Sequence, residues 1–77
     1  MSTKHLHNIS LAEYRNALRK LGCNLVGTAG GHEKWTRKDL SRPIIFQTHI
    51  DPIPERIIAS NNRTLGVSKK EFLEALN

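Results

Sequence analysis

Apolar residues at Leu11, Tyr14, Leu18 and Leu21 recur at helical spacing, with Glu13, Asn16, Arg19 and Lys20 elsewhere, and this predicts a helix over 11–21. Ser10-Leu11-Ala12-Glu13 reads as a capping box that starts it, with Ile9 and Tyr14 as the flanking apolar staple. Gly22 follows as a left-handed cap. The pattern then changes. Asn24–Ala29 is short and mildly apolar, Gly30-Gly31 is a turn signal, and His32–Arg37 alternates around Trp35. These read as two antiparallel strands. After a polar loop over Lys38–Arg42, Pro43–Thr48 is the third and most apolar strand, with proline at its edge, where a missing amide is tolerated.

Asp51-Pro52-Ile53-Pro54 ends the sheet. From Pro54 to about Leu65, residues Ile57, Ile58 and Leu65 form one helical stripe, although Asn61 and Asn62 are poor helix formers. Gly66 caps that segment. Ser68-Lys69-Lys70-Glu71 is a second capping box, with Val67 and Phe72 as its staple and Phe72, Leu73 and Leu76 as the apolar face of a last helix. The expected order is α-β-β-β-α-α, an α+β fold with helices on one face of a three-stranded antiparallel sheet and the other face open to solvent or a ligand. Residues 1–9 read as a flexible polar arm and 10–77 as a single domain.

The chain has 77 residues, 38% hydrophobic and 25% charged, which fits one small soluble domain with a thin core. No apolar run exceeds three residues, so no membrane span is expected, and the N-terminus carries no apolar signal core. Cys23 stands alone, which allows neither an internal disulfide nor a cysteine-built metal site and points to a reducing cytoplasm. The net charge of +5 is unevenly placed: residues 1–42 hold eight basic and three acidic side chains, and residues 43–77 hold four of each. The first half is therefore expected to present a basic face to a polyanion, against the plainer reading of solvated surface charge.

Candidate chemistry is sparse. There is no phosphate-binding glycine loop with lysine, no Cys-x-x-Cys, no acidic pair spaced for two metals, and no nucleophile context around Ser41, Ser60 or Ser68. His5 and His7 form a lone His-x-His in the arm, and His49 reads as a loop residue packing near the sheet edge. His32 differs, because it follows two glycines past which a bulky ligand backbone could approach. In a regular strand Lys34 shares the face of His32, as a phosphate contact or simply an exposed lysine. Trp35 points the other way and is expected to pack under the helices. Cys23 is expected to be buried.

Gly30-Gly31-His32-Glu33-Lys34-Trp35 resembles the Gly-Gly-His or Gly-Ser-His motif of the HicA toxin family, small bacterial mRNA interferases with a double-stranded-RNA-binding-like fold. The surrounding frame is similar too: Leu21-Gly22 ending a helix, the strand 24–29, Trp35 three residues after the histidine, Ile44–Phe46, and Leu65-Gly66-Val67-Ser68 leading into Glu71-Phe72-Leu73. The resemblance covers roughly residues 10–76. Three features depart from it: Glu33 stands where many members have a second histidine, the segment 49–55 is more acidic than the loop often seen there, and the N-terminal arm is longer than expected.

The resemblance implies an endoribonuclease that cleaves mRNA in the bacterial cytoplasm, with His32 catalytic and a HicB-like antitoxin as partner. RNA supplies its own nucleophile, the 2′-hydroxyl, so proton transfer and charge stabilisation suffice, and neither a metal nor a small-molecule cofactor is expected. Gly30, Gly31, Lys34, Arg37, Lys38 and Arg42 are the expected RNA-binding residues. The alternative is a non-catalytic RNA-binding module of the same fold. A DNA-binding regulator is weaker, because no recognition-helix signature is present.

Overall fold

Two capping boxes fix where the first and last helices start. Ser10 Oγ accepts the Glu13 amide while Glu13 reaches back to the Ser10 amide, and Ser68 and Glu71 repeat the arrangement. The computed structural model describes Leu6 and residues 8–76. Helix α1 spans Leu11–Lys20, strands β1, β2 and β3 span Asn24–Ala29, His32–Thr36 and Ile44–Gln47, and helices α2 and α3 span Glu55–Leu65 and Lys69–Ala75. The order is α-β-β-β-α-α, and the strands form one antiparallel sheet in the order β1-β2-β3. No helix among the described residues is long and apolar enough to cross a membrane.

The boundaries differ from the sequence expectation by about one residue, each for a local reason. Leu21 caps α1 because Gly22 turns left-handed at φ +90°. The Arg37 side chain is drawn towards the helix ends, so β2 stops at Thr36. Pro54, with no amide to donate, is the N-cap of α2. Residues 1–5 and 7 of the expected arm lie outside the described residues. Within that arm Leu6 and Ile9 are core residues, and Ile9 bridges to Ile53.

The core lies between the helices and the inner face of β2 and β3. Trp35, Tyr14, Phe72, Leu18, Ile44 and Ile58 are fully buried, and the Tyr14 ring meets Phe46 edge-on at 4.9 Å. Strand β1 contributes nothing to this layer. All six of its residues are exposed, and its pairing with β2 shifts at a bulge between Leu25 and Gly27. Cys23 is buried, and desolvation pushes its thiol pKa up. The two asparagines of α2 do different things. Asn61 Nδ2 donates to Tyr14 Oη at 3.0 Å and to the Ile45 carbonyl at 3.3 Å, tying α2 to α1 and β3. Asn62 is buried with Oδ1 unpartnered.

Arg37 holds the helix ends together. Nη1 donates to the Leu21 carbonyl at 2.8 Å and Nη2 to the Leu65 carbonyl at 3.0 Å, while Nε meets Asp39 Oδ1 at 2.6 Å. A guanidinium at two helix C-termini satisfies terminal carbonyls and complements both dipoles. Its hydrogen bond with Asp39 raises the Arg37 pKa and lowers that of the carboxylate. Arg37→Lys keeps the charge but cannot span these partners. We expect it to destabilise the fold by about 1–3 kcal/mol, and Asp39→Asn to cost much less, in urea unfolding. Equal losses would show that the carbonyl contacts contribute little.

Candidate functional site

The hairpin tip depends on two glycines. Gly30 and Gly31 have φ of +59° and +76°, the left-handed pair of a tight hairpin turn that L-residues enter only with strain. Gly31 is also constrained by space, because a Cβ there would lie 3.3 Å from His49 Nδ1. The Gly31 carbonyl accepts from the Thr48 amide at 2.7 Å and from Thr48 Oγ1 at 3.1 Å. These bonds fasten the end of β3 to the tip and bring His49 beside it.

His32 is the first residue after the turn. Alternation along β2 buries Glu33 and Trp35 and turns His32 and Lys34 to the open face. His32 pairs with Gln47 and Lys34 with Ile45, so these residues share that face. The His32 ring is exposed, with Nδ1 3.1 Å from the Gly30 carbonyl. A carbonyl can only accept, so this bond places the proton on Nδ1 and leaves Nε2 of the neutral ring free to take one.

Glu33 holds this orientation. Both of its carboxylate oxygens accept from Arg15 Nε, at 3.1 and 3.0 Å, and Oε2 also meets Arg15 Nη2. The Trp35 indole N–H donates to Oε1 at 2.9 Å. The Arg15 hydrogen bonds hold the Glu33 carboxyl below its usual range against the opposing cost of burial, and the same bonds raise the Arg15 pKa. On α1, Arg19 lies over the Trp35 ring at 5.3 Å. The inner face of β2 is thus clamped to α1 by charge, hydrogen bond and ring contact.

A cleft of about 210 Å³ opens beside His32 along the free edge of β3, where Ile45, Gln47, Ile50 and Arg56 line it with the imidazole. Ile45 and Ile50 are exposed apolar residues, and Arg56 has no charged partner among the described residues. No carboxylate lines the cleft. The acidic loop residue Asp51 turns away, its Oδ1 accepting the Leu11 amide at 3.2 Å at the start of α1. The chemistry available in the cleft is one exposed imidazole, a guanidinium and an apolar lining, with a second imidazole, His49, against Gly31 beside it.

The structure brings together Gly30, Gly31, His32 and Lys34. Lys38 is exposed in the β2–β3 loop, and Arg42 lines a separate cleft with Ser41, Ser60, Arg63 and Thr64. Arg37, expected at an RNA surface, is instead engaged at the helix ends. His5 and His7 lie outside the described residues, and no three His, Cys, Asp or Glu side chains cluster among those described. Sequence reasoning missed His49 and Arg56 as site residues. Neither carries a local signal, because each reaches the site only through the pairing of β3 and the return of α2. In comparisons with known proteins, no family model, curated protein or solved structure matches this chain.

The Glu33 clamp has a pH signature. A carboxylate with a lowered folded pKa stabilises the fold above the unfolded carboxylate range, and that stability is lost as pH falls through the folded value. Glu33→Gln removes the charge and keeps the size. At neutral pH we expect this variant to be less stable by about 1–3 kcal/mol, with the gap to wild type narrowing below about pH 4. Urea unfolding across this range measures it, and a pH-independent gap would refute the charge-based account.

Proposed function

We propose that this chain is a metal-independent endoribonuclease of the toxin type, resembling the HicA family, that cleaves mRNA with His32 as the proton-transfer group. The observation that carries the reading is the placement of His32: exposed at a glycine hairpin, with Nδ1 3.1 Å from the Gly30 carbonyl and the ring lining a cleft that also holds Arg56.

In the proposed reaction Nε2 of His32 accepts the proton of the substrate 2′-hydroxyl. The 2′-oxygen attacks the adjacent phosphorus, the bond to the 5′-oxygen breaks, and that leaving oxygen takes up a proton. His49, held against Gly31, is the group we assign to supply it. Lys34 and Arg56 offset the charge that grows on the phosphoryl oxygens. The products are a 2′,3′-cyclic phosphate and a 5′-hydroxyl. An apolar floor of Ile45 and Ile50 suits a nucleobase.

The partner we propose is a HicB-like antitoxin encoded beside the toxin. Support comes from the exposed apolar residues Leu25, Val26, Ile45 and Ile50, which leave surface for a protein to cover. Mixing the two proteins should give a complex that suppresses cleavage, and His32→Ala should still form it. Two proteins that elute separately would remove the partner from the proposal.

Purified protein incubated with single-stranded RNA tests the activity. We expect His32→Ala to lower the cleavage rate by about 10²–10⁴-fold while still binding RNA, with wild-type cleavage unchanged by chelator and abolished by a 2′-deoxy residue at the cut site. Equal cleavage by wild type and variant would sink the assignment. Binding without cleavage by either would favour the non-catalytic RNA-binding module.

A further inference from the structure

The second cleft lies at the far end of β3 from His32. Gln47 pairs with His32, whereas Ile44, next to Pro43 and Arg42, pairs with Trp35. Helix α2 runs beside this strand and contributes to both clefts: Arg56 to the one at His32, and Ser60, Arg63 and Thr64 to the other. Positions 56, 60 and 63 share one helix face, and seven residues at about 1.5 Å rise set the two arginine positions about 10 Å apart along the axis.

The second cleft is built only from polar side chains: Arg42 and Arg63, with the hydroxyls of Ser41, Ser60 and Thr64. Arg42 and Arg63 are both exposed, unlike Arg15 and Arg37, which are half-buried against Glu33 and Asp39. Arg42 and Arg63 have no carboxylate partner among the described residues, and none lines their cleft. Two exposed guanidiniums lining one polar hollow with no carboxylate give it a positive potential that attracts an anion. Hydroxyls that can donate beside guanidiniums that fork onto oxygen pairs are the donor set that recognises a phosphodiester.

We propose that the Arg42–Arg63 cleft is a phosphate subsite for single-stranded RNA. It grips the backbone at a phosphate other than the one at His32, at the far end of β3. This deepens the ribonuclease proposal and rests on its reading that the ligand is RNA. The strand runs along the face of α2 that carries Arg56, Ser60 and Arg63, and the subsite fixes which phosphate lies against the imidazole. Its residues come from the β2–β3 loop and from α2, so the polyanion is held by both halves of the chain.

Binding of a short labelled single-stranded oligoribonucleotide to the full chain, measured by anisotropy over a series of salt concentrations in a His32→Ala background, tests the subsite. Arg42→Gln with Arg63→Gln should weaken binding about tenfold and make the salt slope shallower by about 0.7 for each phosphate no longer neutralised. Ser60→Asp, which puts a carboxylate between the arginines, should weaken it further. Lys69→Gln with Lys70→Gln removes the same formal charge on α3, away from the cleft, and should bind nearly as the background does. Unfolding midpoints matching the background establish that the variants are folded. An undiminished affinity in the arginine variant, or an equal loss in the lysine control, overturns the subsite and leaves the RNA reading intact. A His32→Ala background that binds no RNA overturns both.

Discussion

The ion pair between Arg15 of α1 and Glu33 of β2 decides which way the second strand faces. A strand has a side-chain period of two, so locking one residue inward sets the direction of every other. Glu33 is held by Arg15 and by the Trp35 indole, and Trp35 itself is buried under the helices. His32 and Lys34 must then face the open side. A slip of one residue would bury an imidazole and an ammonium and expose a tryptophan, so the energetic penalty on register is large. The exposed imidazole is positioned by a carboxylate that never reaches the site.

The second constraint is the glycine turn. Two successive left-handed residues allow a tight reversal, and the missing Cβ of Gly31 leaves room for His49. The Thr48 bonds to the Gly31 carbonyl close the third strand onto the same tip. The hairpin is therefore braced by β3 and is not a free loop, which suits a group that must hold position during proton transfer.

Charge is distributed by use and not by position in the chain. The basic excess of residues 1–42 is partly consumed in structure, with Arg15 on Glu33, Arg37 across two helix ends and Arg19 over Trp35. Arg56 and Arg63, from the electrically balanced second half, line the two clefts with His32 and Arg42 respectively. Dividing the sequence at residue 42 thus locates the surplus without locating the surface that bears it, because α2 folds back along the edge of the sheet.

The sequence by itself determined whatever depends on near neighbours. Ser10 with Glu13 and Ser68 with Glu71 mark helix starts because a capping box closes within three residues. Gly30-Gly31 marks the hairpin because backbone sterics are local, and the alternation through Trp35 marks the inner face because pleating is local. Only the tertiary structure decided the partner of Glu33, the helix ends that Arg37 joins, and the arrival of His49 against Gly31 and of Arg56 in the cleft at His32. Each of those contacts joins segments far apart in the chain. No periodicity or spacing encodes them, since they exist only once burial of the shared core has brought α1, β3 and α2 against the hairpin.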